Sequence, residues 1–179
     1  SKPKNWNTYW NSTSCPVVWD YKNNSTAFGG RTFVEVDGVK YTREVFASLA
    51  DDVIVMRLAA SERKSLTFDA YFATPQNAGY SVEDGELVMR GVTSSQEGLE
   101  GKVNFTARAR VCPVGGNMRV SGARISVTEA DEVFIYVDIA TNFVRYDDIS
   151  GDPDSSLEER MADVGSKRYA AMRNAHVKA

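Results

Sequence analysis

The chain has 179 residues, 42% of them hydrophobic and 25% charged, with a formal net charge of -3. That is enough material for one folded domain with its own apolar core. The slight acidity offers no clustered cationic face for a polyanion, which excludes nucleic acid as a partner class, and no apolar run approaches the roughly twenty residues of a membrane span.

Residues 1–30 set Trp6, Tyr9, Trp10, Trp19, Tyr21 and Phe28 among Asn, Ser, Thr and Lys, and no regular element is assigned to them. Two readings of this arm stand side by side. Trp6, Trp10 and Trp19 have the chemistry of a sugar-stacking platform, since a pyranose ring presents an apolar face to an aromatic ring. Equally, large aromatics dominate buried interfaces with or without a ligand, and an arm packed on the sandwich or on a neighbouring domain is the favoured reading.

From Arg31 to Arg145 the pattern is that of strands. Val34 and Val36 alternate with polar neighbours, Asp37-Gly38 supplies a tight turn, and Tyr41, Val45 and Phe46 lie on the return strand, so a β-hairpin is expected. Val53 to Leu58 is apolar on both faces and predicts a central strand covered from both sides. Leu66 to Ala73 follows, then Ser81–Glu83 and Leu87–Arg90 joined through a second Asp-Gly pair. The clearest alternation is Val103, Phe105, Ala107, Ala109 and Val111 against Asn104, Thr106, Arg108 and Arg110. It implies one core face and one wet face, with Arg108 and Arg110 solvated. A turn at Pro113–Asn117 and strands at Met118–Val120, Arg124–Thr128 and Glu132–Ala140 complete about nine strands, an antiparallel β-sandwich.

Residues 146–179 change character. Asp147, Asp148, Asp152 and Asp154 fall in a loop, and Ser155-Ser156-Leu157-Glu158 reads as a capping box opening a helix. Leu157, Met161 and Val164 form its apolar stripe; after Gly165 and Ser166, Tyr169, Met172 and His176 share one face of a second helical segment. No stop signal closes that segment, which predicts a chain continuing into a larger protein.

Candidate chemistry is thin. Asp147, Asp148 and Asp152 are the metal-ligating candidates, since adjacent carboxylates suit Ca2+, although Asp-rich loops with Gly and Pro more commonly serve as turns and helix caps. Cys15 and Cys112 have no CxxC companion, and a disulfide between them is left open. A single histidine, His176, excludes a multi-histidine metal cluster within the chain and argues against a Ser-His or Cys-His triad. No cofactor is expected. Asn11, Asn23, Asn24 and Asn104 match the N-glycosylation acceptor pattern, as Asn- and Thr-rich sequences do by chance.

Three blocks, VDGVKYTREVFASLADDVIVMRL at 36–58, GLEGKVNFTARARVCPVGG at 98–116 and ADEVFIYVDIATNFVRYDDISGDP at 130–153, together resemble the N-terminal β-sandwich domain of family-95 glycoside hydrolases, the α-L-fucosidase and α-L-galactosidase group. The ending SKRYAAMRNAHVKA resembles the helical linker that leads in that family toward an (α/α)6 barrel. Residues 1–30 do not resemble the family's opening strands. The resemblance implies a supersandwich-like fold, a periplasmic or extracellular location, and an inverting parent enzyme whose catalytic residues lie in the barrel, so that no catalytic residue is expected in this chain. The implied partner is that barrel, with a glycan as a further ligand. A free-standing carbohydrate-binding module and a ligand-free interaction domain are the competing readings, since a sandwich hosts all three roles.

Overall fold

The structure, a computed structural model, describes residues 17–18, 29–166 and 168–178. Eleven strands occur among them: β1 (Val17–Val18), β2 (Gly29–Val36), β3 (Val39–Ser48), β4 (Val53–Ala60), β5 (Leu66–Ala70), β6 (Asn77–Glu83), β7 (Glu86–Val92), β8 (Asn104–Val114), β9 (Asn117–Ser121), β10 (Arg124–Ala130) and β11 (Glu132–Thr141). Two helices, α1 (Pro153–Ser166) and α2 (Tyr169–Lys178), follow. An eight-stranded sheet of order β1-β2-β3-β4-β11-β8-β7-β6 faces a three-stranded sheet of order β5-β10-β9, and every pairing is antiparallel.

Local chemistry accounts for the hairpins. Asp37 and Gly38 have φ of 53° and 79°, and Asp84 and Gly85 have 51° and 81°. Both pairs therefore form the primed turns whose twist matches antiparallel strands. Before β9 the turn is Gly115-Gly116, with β8 running on through Pro113 to Val114; the expected turn at Pro113 starts two residues later. A side chain at Gly116 would meet the Thr128 carbonyl at 2.3 Å, so the chain reverses there only without a Cβ.

The two faces of the large sheet serve different purposes. Tyr41, Leu87, Ala109, Val111 and Val133 point toward the small sheet and meet Leu66, Ile125, Val127 and Ala130 in one apolar cluster. Phe46, Val53, Val55 and Tyr136 point the other way, and there they pack with Met161, Val164 and Met172 of the helices. The helices thus form a third layer. β4 lies inside the sheet with core on both sides, as its mostly apolar sequence predicts, and its one charged residue, Arg57, pairs with Glu132 of β11.

That third layer overturns the expectation of a wet face on β8. α1 covers it, leaving Arg108 only 6% exposed. Arg108 lies 3.6 Å from Glu86 and 3.4 Å from Glu158 of α1, while Arg110 binds the same Glu86 at 2.6 Å. Further along, Asp138 of β11 accepts a hydrogen bond from Arg160 of α1 at 2.5 Å. Alternation was read correctly as two-faced, but a polar face is satisfied equally by water or by a helix bearing complementary charge.

α1 also begins earlier than the capping box implied. Asp152 is its N-cap: Oδ1 accepts from the backbone N–H of Asp154 at 3.0 Å and of Ser155 at 3.3 Å, and Oδ2 from the Ser155 hydroxyl at 2.7 Å. Pro153 then occupies the first helical position, where its missing N–H leaves nothing unsatisfied. The stripe Leu157, Met161 and Val164 is buried as predicted, and so are Met172 and His176 on α2.

α2 docks through Glu44 of β3. The carboxylate accepts hydrogen bonds from Arg173 at 2.8 Å, Tyr169 at 2.7 Å and Arg31 at 3.0 Å. Burial alone would raise its pKa, but these bonds, Arg173's first, hold it at about 2 instead of 4.5. His176 stacks on Phe46 at 4.7 Å between ring centroids.

Two outcomes follow from this third layer. Leu157→Ala should lower unfolding free energy by about 2–5 kcal/mol in denaturant titration; a loss below about 1 kcal/mol would show that the helices do not share the sheet's core. Because the Glu44 carboxyl titrates lower in the folded state, its contribution is present above pH 4.5 and fades as the pH falls toward about 2. Glu44→Gln should therefore flatten the stability-versus-pH curve in that window, measured by thermal unfolding at stepped pH.

Candidate functional site at one end of the sheet

Antiparallel order places four connections together. The β3–β4 turn, the β7–β8 loop, the β11–α1 loop and the start of β6 all lie at the same end of the large sheet, because Ser48 pairs with Val53, Asn77 with Val92, Val92 with Asn104, and Thr141 with Phe105. The two Asp-Gly hairpins lie at the opposite end.

The β11–α1 loop is built as a fixed projection. Asn142, 8% exposed, exchanges backbone hydrogen bonds with the start of β8: its N–H donates to the Asn104 carbonyl at 3.0 Å, and its side-chain Oδ1 accepts from the Asn104 N–H at 2.9 Å. Its own carbonyl accepts from Gly151 N–H at 3.0 Å, closing the loop base. Inside the loop Arg145 and Asp148 form a two-way bridge of 3.1 and 3.0 Å. The tip presents Tyr146, which is 93% exposed, with Phe143, Val144 and Ile149. Leu49 and Leu99, on the neighbouring connections, are also exposed. Six apolar side chains on hydrogen-bonded loops at one end are more than scattered surface residues require.

Beside the tip lies a shallow cleft of about 690 Å³, lined by Asn77, Arg90, Asn104, Asn142, Ser150 and Asp154 among others. Arg90 holds its wall together, binding Glu83 at 2.5 Å and Asp154 of α1 at 2.8 Å. Hydrogen bonds from Arg90, then Ser81, lower the Glu83 pKa to about 2. The lining sets amide, hydroxyl and charged groups beside Val92, Phe105, Ile149 and Pro153, a mixed surface that suits a hydroxyl-rich ligand with an apolar face or the rim of an interface.

The acidic candidates do not converge. Asp147 pairs with Arg145 at 2.8 Å. Asp148 accepts from the Ser150 hydroxyl at 2.6 Å and from its N–H at 2.9 Å, and these bonds lower its pKa. Asp152 caps α1, and its pKa is lowered by the Ser155 hydroxyl and neighbouring backbone N–H groups. No group of three His, Cys, Asp or Glu that could hold a metal ion occurs among the described residues. Asp147, Asp148 and Asp152 are each engaged within their own loop or at the helix start. Trp6, Trp10, Trp19 and Cys15 lie outside the described residues. Cys112 is a free, half-buried thiol whose pKa is raised by burial.

Sequence reasoning missed the projecting tip. Its signal was the run Phe143-Val144-Arg145-Tyr146 between the last expected strand and the acidic loop; bulky apolar residues in a connection are unusual unless something covers them.

Comparison with known proteins bears on the whole arrangement. No curated protein matches the sequence. A solved structure from human microbiome, named as a kojibiose phosphorylase, superposes with a TM-score of 0.51 at 8% identity, covering 87% of this chain and 23% of that one. Such low identity speaks to the fold alone, and the chain spans under a quarter of that protein's length. Residues 23–146 match the family described as "Glycosyl hydrolase family 65, N-terminal domain". The match carries the number 65 where the residue blocks resembled family 95; both point to a glycoside hydrolase's N-terminal domain. The match takes in well over half of the sequence and all the strands from β2 to β11, and the chain belongs to the glycosyl hydrolase family 65 N-terminal domain family.

Proposed function

We propose that this chain is the non-catalytic N-terminal β-sandwich domain of a longer carbohydrate-active enzyme, where it packs on an (α/α)6 catalytic barrel and shapes one edge of its active site. The observation that carries the reading is the apolar end surface of Leu49, Leu99, Phe143, Val144, Tyr146 and Ile149, set beside a polar cleft. Docked on a barrel, the apolar tip would be buried and the cleft would form part of the rim facing substrate.

The parent's chemistry is proposed as hydrolysis of a terminal α-L-fucoside or α-L-galactoside, in the periplasm or outside the cell, on the strength of the three sequence blocks resembling family 95. A second reading, phosphorolysis of an α-linked disaccharide such as kojibiose, is favoured by the family-65 match and by the name of the structural neighbour. Phosphate separates the two. Hydrolysis of nitrophenyl α-L-fucoside without phosphate, by the parent and not by this 179-residue chain, would support the first; phosphate-dependent cleavage of kojibiose would support the second. Activity in this chain alone would sink the helper-domain reading. In the parent, Phe143→Ser with Tyr146→Ser should lower the melting temperature by several degrees and reduce turnover, while the same pair in the isolated chain should leave melting within about 2 °C.

A further inference from the structure

α1 meets the outer face of the large sheet at Arg108 and Asp138, and toward the end where the helix begins that face carries the cleft of about 690 Å³. Register sets what the cleft is made of. Asn77 pairs with Val92 and Val92 with Asn104, forming one row across β6, β7 and β8; Gly79 pairs with Arg90 and Arg90 with Thr106, forming the next row inward. Residues two apart on a strand share a face, so both rows lie on the side where Arg108 meets α1. At Gly79 nothing stands within 4 Å of the place a Cβ would take, which leaves the floor open there.

The polar groups of the lining divide into committed and uncommitted ones. Arg90 is committed to Glu83 and Asp154, and Asp152 to the helix cap. The side-chain amides of Asn77 and Asn104 make no hydrogen bond among the described residues. Asn142 lies deeper, 8% exposed. Its Oδ1 accepts from the Asn104 N–H at 2.9 Å, while its Nδ2 has no hydrogen-bond partner among the described residues, and the surface it keeps lines the cleft. Amides so largely buried are as a rule satisfied, so this one calls for a partner that the described residues do not supply. Between the amides lies the half-buried side chain of Val92. Uncommitted, uncharged donors and acceptors around an aliphatic spot are the complement of a neutral pyranose, whose hydroxyls need both and whose C–H face needs a contact. An anion would find Arg90 already paired and two aspartates beside it.

We propose that this cleft is a saccharide subsite of the domain itself and takes one neutral pyranose unit. Val92 and the open floor at Gly79 lie under the apolar face of the ring, and the amides of Asn77, Asn104 and Asn142 bond its hydroxyls. The volume falls within the roughly 300–1,000 Å³ of ordinary small-molecule sites, and the shallow shape lets the bound unit continue into a longer glycan. The inference deepens the reading of the cleft as a rim facing substrate and rests on it for the class of ligand only. The contacts are made by this chain, whatever barrel it docks on and whichever bond is cleaved there.

Amide NMR spectra of the 179-residue chain, titrated separately with methyl α-L-fucopyranoside, methyl α-L-galactopyranoside and kojibiose, report on the site with no catalytic barrel present. At least one sugar should shift the side-chain amide signals of Asn77, Asn104 and Asn142 together and saturate in the millimolar range. Asn77→Ala with Asn104→Ala should weaken that binding about tenfold or more while leaving melting within about 2 °C, because neither side chain bonds to the rest of the fold. Gly79→Leu, which fills the floor and keeps every amide, should weaken it as well. Three sugars that move no cleft amide would overturn the proposal, and so would shifts confined to the indoles of Trp6, Trp10 and Trp19 or binding that both variants leave unchanged. The two readings fail separately: an empty titration leaves the helper-domain reading standing, and a parent without sugar-cleaving activity leaves the titration readable.

Discussion

Arg108 cannot leave water alone. An unpaired guanidinium under a helix would carry a desolvation penalty of several kcal/mol, so the outer face of the large sheet can be covered only by an element that brings carboxylates with it. Glu86 answers from the adjacent strand, itself just 6% exposed, and Asp154 and Glu158 answer from α1. The helix is thereby fixed in register: Leu157, Met161 and Val164 enter the apolar layer only when Glu158 and Asp154 reach the arginines. Charge selects the pose and apolar burial stabilises it. Among the described residues the Nε of Arg108 has no hydrogen-bond partner.

Glu44 repeats the arrangement at the second helix, and there the burial is partial, so three donors suffice to keep the carboxylate ionised. Taken together, the two clusters make α1 and α2 an integral layer of the domain, and they orient the loop that precedes α1. Asp152 caps the helix, Asn142 ties the loop base to β8, and between them the tip has no freedom to fold back. A projection held in this way loses little conformational entropy on meeting a partner, which is the condition for an apolar tip to bind well.

The fold was largely legible. Asp37-Gly38 and Asp84-Gly85 announced hairpins because few other residue pairs tolerate two positive φ angles in succession, and Val53–Leu58 announced a central strand because five of its six residues are apolar. What the sequence concealed was tertiary. Nothing in the alternation of β8 says whether its polar face meets solvent or Glu158, since that depends on a helix fifty residues away. The capping signal was ambiguous for a local reason: both Asp152 and Ser155 can accept N–H bonds, and Pro153 decides between them by fitting only the first helical position. The site was less legible than the fold. An acidic run looks the same in sequence whether its carboxylates converge or, as with Asp147, Asp148 and Asp152, each turns to its own neighbour. The apolar tip drew no notice because it alternates too briefly to resemble an element.

The distribution of turns has a practical side. Every connection that carries an exposed apolar residue of the end surface lies at one pole of the large sheet, and the two Asp-Gly hairpins lie at the other. Gly38 and Gly85 have open space around them, and tight exposed turns of this kind accept inserted sequence well. The domain therefore has a working pole and an idle one. A fluorophore, affinity handle or surface tether placed at 37–38 or 84–85 would hold the molecule by its idle pole, with both the projecting loop and the polar cleft turned outward.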